Sequence, residues 1–219
     1  MAFFMPKFGP PNYRRVGASA IVLDCGESTG AIQSRLGRIA HDGRAWRGVR
    51  EAVAAAGNLT LLFDRTSTDF DTLEAQLDAA WTREAEDTAA ARVVEIPVCY
   101  GGGDGPDLED VAAACALACE EVIALHARAQ YTVAFVGFLP GFAYLDGLDA
   151  RLQQPRRAQP RTRVPRGSVA VAGNQSAIYP FDSPGGWHLI GRTDLAMFDP
   201  RREPAALLQP GDRVRFIPQ

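Results

Sequence analysis

Two periodicities of apolar residues alternate along this 219-residue chain. Arg14 to Asp24 reads as a strand, after which Ile32, Leu36 and Ile39 recur at the spacing of one helical face. Ser28 or Thr29 can cap that helix, which runs to about His41, because a short side-chain oxygen satisfies a free N–H of the first turn. Two short β-prone runs follow, Val49 to Ala55 and Leu59 to Phe63, turned by Gly57-Asn58. Phe70, Leu73, Leu77 and Trp81 return to helical spacing, and Arg92 to Val98 is again a strand. The resulting order β-α-β-β-α-β is the split βαβ plan of a ferredoxin-like unit, expected over residues 13–99.

Past Tyr100 and the run Gly101-Gly102-Gly103 the pattern changes. Two short helices are expected at Leu108 to Ala116 and Glu120 to Ala129. Short strands then follow at Tyr131 to Phe138, Ser168 to Ala172, Trp187 to Arg192 and Arg213 to Ile217. Between Glu51 and Ile96 there is one glycine and no proline, whereas Pro155 to Gly191 holds ten residues of these two types. Many short strands separated by such turns indicate a closed β-barrel for residues 100–219. Pro210-Gly211 fits the centre of a type II turn that sends the last strand back across this unit. Residues 1–12, with three prolines and no period, read as an extended arm. The fold class expected is therefore α+β, a ferredoxin-like unit followed by a barrel.

Composition excludes several classes. With 47% hydrophobic and 22% charged residues the chain is of ordinary globular type. Pro6 and Lys7 interrupt the first apolar run, against a secretory leader, and the uncharged stretch Tyr131 to Leu145 is too short and too broken to span a membrane. Four scattered cysteines, Cys25, Cys99, Cys115 and Cys119, do not make a disulfide framework, so a cytoplasmic protein is expected. The pair Cys115 and Cys119 reads as two small apolar side chains rather than a metal site.

The net charge of −3 conceals an asymmetry. From Asp69 to Glu121 there are fourteen acidic residues and two arginines; from Ala150 to Phe181 there are six arginines (151, 156, 157, 161, 163 and 166) and no acid. Such a stretch either gathers anions or is a solvated face. Nucleic acid is the weaker partner class, since no aromatics interleave with the arginines.

The sequence has no Walker A loop, no dinucleotide fingerprint, no nucleophile elbow and no zinc-protease motif. What remains is polar and glycine-rich. Arg161, Arg163 and Arg192 are forks suited to a carboxylate or acyl phosphate, and Gly185 and Gly186 let the backbone approach a developing oxyanion. Gln175, Ser176, Tyr179 and Ser183 supply neutral donors and acceptors, and His188 is the side chain of this region that titrates near neutrality. The candidate catalytic set is His188, Tyr179 and Gln175; Arg161, Arg163, Ser176, Ser183, Gly185, Gly186 and Arg192 are candidate substrate contacts. His126, on a helix beside Val122 and Ile123, reads as a packed or hydrogen-bonded residue.

Four segments carry a resemblance: Gly137-Phe-Leu-Pro-Gly-Phe-Ala-Tyr-Leu145, Pro155-Arg-Arg-Ala-Gln-Pro-Arg-Thr-Arg-Val-Pro165, Gly173-Asn-Gln-Ser-Ala-Ile-Tyr-Pro180 and Ser183-Pro-Gly-Gly-Trp-His-Leu-Ile-Gly-Arg-Thr193. In this order they resemble the family of the 5-oxoprolinase B subunit, which includes allophanate hydrolase subunit 1 proteins, a sporulation-kinase inhibitor, and half of the carboxyltransferase region (subdomains C and D) of urea carboxylase. The chain departs from that pattern at Gly17-Ala18-Ser19, where the family opens with Gly-Asp, and at Ser176-Ala177, where Thr-Gly is common. The resemblance implies a cyclophilin-like barrel in the second unit. It also implies a complex with a second, homologous-barrel partner of the 5-oxoprolinase C-subunit type and a third, lactam-handling partner, opening 5-oxoproline with ATP and magnesium bound in the complex. Two other readings stay open: half of a biotin-dependent carboxyltransferase, with biotin supplied from elsewhere because Lys7 is the only lysine, or a binding module that inhibits a histidine kinase.

Overall fold

A computed structural model describes residues 12–83 and 92–219. The chain divides between Glu86 and Asp87 into two compact units. The arm expected at residues 1–12 lies, but for Asn12, outside the described residues.

In the first unit the order is β1 (Asn12–Val16), β2 (Ala20–Asp24), α1 (Gly30–Gly43), β3 (Val49–Ala55), β4 (Asn58–Phe63) and α2 (Phe70–Thr82). Thr29 caps α1 by accepting the Ile32 N–H at 3.4 Å, and Asp69 caps α2 by accepting the Thr72 N–H at 2.8 Å. The strand expected over Arg14 to Asp24 is instead a hairpin. Gly17, at φ 56°, reverses the chain so that Val16 pairs with Ala20. The sheet order is β1-β2-β4-β3 with every neighbouring pair antiparallel. This is the ferredoxin-like order with one change: the edge expected from Arg92 to Val98 is filled by β1 from the other end of the unit. Ile21, Leu23, Leu59, Leu61 and Phe63 of the sheet pack on Ile32, Leu36 and Ile39 of α1 and on Leu73 and Leu77 of α2 in one core.

The strand placed last in the first unit belongs to the second. β5 (Val93–Tyr100) pairs in parallel with β13 (Arg213–Pro218) over six residues, so the boundary falls before it and not near Tyr100. Its alternating Ile96 and Val98 line the same core as Val214 and Phe216, which is why it joins there. After β5 come α3 (Leu108–Cys115), α4 (Cys119–Arg128), β6 (Tyr131–Val136), β7 (Ala143–Asp146), β8 (Arg161–Val164), β9 (Ser168–Ala172), β10 (Gln175–Ile178), β11 (Ser183–Gly185) and β12 (His188–Arg192). Seven strands close the expected barrel in the order β10-β7-β6-β13-β5-β12-β9, and β8 and β11 form a separate two-stranded sheet. The turn at Pro210-Gly211 has Gly211 at φ 88°, closed by the Asp212 N–H donating to the Gln209 carbonyl at 3.0 Å.

The alternation of strand residues gives this unit two cores. Val169, Val171, Ile178 and Ile190 point into the barrel with Ile96, Val133, Leu145 and Phe216. Ala170, Ala172, Ala177 and Leu189, of opposite parity, pack outside it with Phe142, Val164, Tyr179 and Trp187. The β8–β11 sheet thus covers one outer face of the barrel. Cys115 and Cys119 pack against the barrel core. Among the described residues no helix is long and apolar enough to cross a membrane.

Candidate functional site at the barrel rim

The registers bring one barrel end together. His188 opens β12 opposite Val171, and Gln175 opens β10 opposite Ala172, so both stand at the rim where the β9–β10 turn lies. Pairing with Val171 puts His188 on the parity of the barrel core, whereas Trp187 and Leu189 belong to the outer core. Segment 154–161 crosses this rim. The Gly173 N–H donates to the Gln154 carbonyl, and the Arg157 N–H donates to the Gly186 carbonyl at 2.8 Å. His188 Nε2 lies 3.0 Å from the Pro155 carbonyl oxygen. A carbonyl only accepts, so Nε2 carries the proton, and in the neutral ring Nδ1 then keeps the lone pair. That Nδ1 is buried and has no hydrogen-bond partner, and the same holds for Arg157 Nε and Ser183 Oγ. Most buried polar atoms are paired, so orphans on two segments that meet at Gly186 mark where a polar partner belongs.

Four of the six arginines of the run are closed on carboxylates and not free to gather anions. Asp107, 1% exposed just before α3, receives Arg157 Nη1 at 2.7 Å and both Arg161 Nη1 and Nη2 at 2.8 and 2.7 Å. Arg163 is paired with Asp182 at 2.6 Å and Arg151 with Asp149 at 2.8 Å. All three acids come from outside the acid-free stretch, which is why the stretch looked unpaired. Burial pushes the Asp107 carboxyl upward, but the Arg161 fork, the Leu189 N–H and the Arg157 charge outweigh it and leave the group below the usual carboxylate range. Arg156 differs: its guanidinium lies 6.0 Å from the centre of the Trp187 ring.

Other candidates fall elsewhere. Ser176 is fully buried inside the barrel, so it is not a substrate contact. Its Oγ donates to the Ala170 carbonyl at 3.1 Å and receives His126 Nε2 at 2.9 Å, while the Tyr100 hydroxyl donates to His126 Nδ1 at 2.7 Å. Ser176 has a single proton, and the carbonyl takes it; His126 must therefore donate from Nε2 and accept at Nδ1. Burial pushes the His126 imidazole down to about 3. Tyr179 is 2% exposed in the outer core, and burial raises its phenol, which keeps it protonated. A Cβ on Gly185 would collide with the Tyr179 hydroxyl, so glycine there makes room for a ring. Gln175 donates to Asp146 at 2.8 Å. Arg192, at the far end of β12 from His188, stands between Asp104 and Asp194 at 3.5 and 3.6 Å in an open hollow lined also by Cys99 and Thr193. The rim therefore unites His188, Gln175, Gly186 and Arg161, and separates them from Ser176, Arg163 and Arg192.

Asp107 is the residue that sequence reasoning missed. It stands directly before an apolar helical run, which marks it as a helix start, but its partners lie 50, 54 and 82 positions away.

Residues 11–208 match the family described as carboxyltransferase domain, subdomain C and D. The chain belongs to this carboxyltransferase subdomain family. Three curated members are 39–44% identical to it, and each is named as the B subunit of 5-oxoprolinase. The one from Escherichia coli O157:H7 is 44% identical over 206 residues, which are 93% of this chain and 94% of the relative. Among solved structures, TTHA0988 is 42% identical with a TM-score of 0.78; the match covers 91% of this chain and 40% of that one. The Kluyveromyces lactis urea amidolyase, at 22% identity and a TM-score of 0.77 over 98% of this chain and 15% of its own, shares the fold. The subdomain family thus occurs both as chains of this length and inside longer ones.

Proposed function

We propose that this chain is the B subunit of a 5-oxoprolinase-type hydrolase that opens 5-oxoproline, or a closely related small cyclic amide, and that it works as part of a complex. The observation that carries the reading is the near end-to-end match, 44% identical, to a protein named as the 5-oxoprolinase B subunit. The rim supports it chemically. The rim offers an unpartnered donor, Arg157 Nε, suited to the C=O of a lactam, and on the crossing segment an unpartnered acceptor, His188 Nδ1. His188 would take the proton from the water that attacks the amide carbon.

Both atoms are sealed in the chain by itself, which suits a subunit whose rim opens only on assembly. An exposed aromatic patch supports such docking. Phe138 is 61% exposed and Phe181 40%; Phe181 lies 5.9 Å from Phe198, which backs onto Gly141 in the turn that carries Phe138. Phe138 stands at φ 67°, a left-handed backbone that bulky side chains avoid. A strained, exposed aromatic fits a contact residue for the second subunit.

Nucleotide does not fit this chain's own residues. Arg157, Arg161 and Arg163 are already closed on carboxylates, which leaves Arg156 as the one arginine of segment 154–161 not held by an acid, too little charge to neutralise a triphosphate. ATP and its magnesium are therefore assigned to another subunit. The family's description favours one alternative, transfer of a carboxyl group from a carrier in another polypeptide to a urea-like acceptor. Purified complex given 5-oxoproline and ATP should form glutamate. Carboxylation of urea from a biotinylated carrier, with no glutamate formed, would favour the alternative, and binding of a histidine kinase with neither activity would sink both.

A further inference from the structure

Asp107 lies outside all four motifs, yet it holds the rim together. Its carboxylate accepts four N–H bonds, three from Arg157 and Arg161 and one from the Leu189 backbone at 2.7 Å, and its own N–H donates to the Leu189 carbonyl at 2.9 Å. The carboxylate's lone-pair sites are thereby filled. Two routes lead from it to His188. Along β12, Leu189 is the next residue in the chain. Through Arg157, the clasp fixes the segment whose Pro155 carbonyl receives His188 Nε2, and Arg157 adds a backbone bond to Gly186.

We propose that Asp107 is a positioning residue: by clamping Arg157 and Leu189 it holds the Pro155 carbonyl against the His188 imidazole, so that the proton stays on Nε2 and the lone pair on Nδ1. An imidazole's tautomer is set by whatever its other nitrogen bonds, and freeing the 155–157 segment removes that constraint. Loss of the charge also releases the two guanidinium groups that it holds. The catalytic consequence rests on the function proposed above; the tautomer itself does not.

The test uses the full-length ¹⁵N-labelled chain, whose three histidines, His41, His126 and His188, give separable imidazole signals. Long-range ¹H–¹⁵N spectra of the unaltered chain should show His188 as a single tautomer protonated on Nε2. Asp107→Asn and Arg157→Gln should each give a mixture, and Asp107→Glu should recover most of the single tautomer. An unaltered tautomer in folded Arg157→Gln and Asp107→Asn chains overturns the proposal, as does Nδ1 protonation in the unaltered chain. If Asp107→Asn does not fold, Arg157→Gln decides. In the assembled complex, Asp107→Asn should lower kcat about tenfold or more with KM within about threefold. A shifted tautomer with unchanged kcat leaves the positioning intact and removes His188 from the chemistry.

Discussion

Asp107 and Leu189 bond to each other twice: the Leu189 N–H donates to the Asp107 carboxylate at 2.7 Å and the Asp107 N–H donates to the Leu189 carbonyl at 2.9 Å. The pair ties the start of α3 to β12, and two arginines close the carboxylate from its other side. A buried carboxylate is costly to desolvate, but removing it once its partners are in place costs more, because they stay behind unpaired.

Asp107→Ala therefore destabilises the second unit by about 3 kcal/mol, at the low end for breaking a buried pair since both arginines are partly exposed. Asp107→Asn, which keeps an acceptor for the Leu189 N–H, costs less. Urea unfolding of the two variants checks the order. Equal losses would show that the charge, and not the backbone bond, matters.

The barrel interior predicts an acid response. Burial holds the His126 imidazole at about 3 in the folded chain against an ordinary 6.5. The unfolded chain therefore binds a proton that the folded one refuses. Stability from this group is complete above about pH 6.5 and is lost as pH falls toward 3, by on the order of 5 kcal/mol in all at 1.36 kcal/mol per unit. The depressed carboxylates act in the same direction but lower, beginning near pH 4. The denaturant midpoint should fall appreciably from pH 7 to pH 5 for the unaltered chain and much less for His126→Phe, whose ring can still stack on Phe216.

Phe138 separates stability from assembly. Its ring meets Phe142 edge-on at 5.4 Å, but most of it is exposed and its backbone is strained. In Phe138→Gly, relief of the left-handed backbone offsets the lost contact, so the isolated chain stays within about 1 kcal/mol of the original. Binding of the second subunit should weaken about thirtyfold or more, as for a hot-spot aromatic. Titration calorimetry with the purified partner reads this; unchanged affinity would move the interface elsewhere.

Period and punctuation were sufficient for both helices of the first unit, for Val49 to Ala55 and Leu59 to Phe63, and for a barrel in the second. They failed where one residue redirects the chain: Gly17 makes a hairpin from what reads as one strand. They also failed on strands of three or four residues rich in arginine or proline, such as β8 (Arg161–Val164) and β11 (Ser183–Gly185), where composition masks an extended backbone. Assignment of β5 needed its parallel partner β13, more than a hundred residues away. The rim itself was partly readable. His188, Gln175 and Gly186 stand there because their segment alternates through β9, β10 and β12. Ser176 was misjudged because its parity in β10 points inward to His126. The arginines looked free because Asp107 and Asp182 are distant or just past the window.

The proton-accepting role of His188 is most directly tested by His188→Gln in the reconstituted complex. Glutamine can still donate to the Pro155 carbonyl but offers no basic nitrogen. The rate of 5-oxoproline opening should fall by about a hundredfold or more in kcat, with KM within about threefold and the complex still assembled. A variant that opens the lactam within about twofold of the unaltered complex would contradict the account.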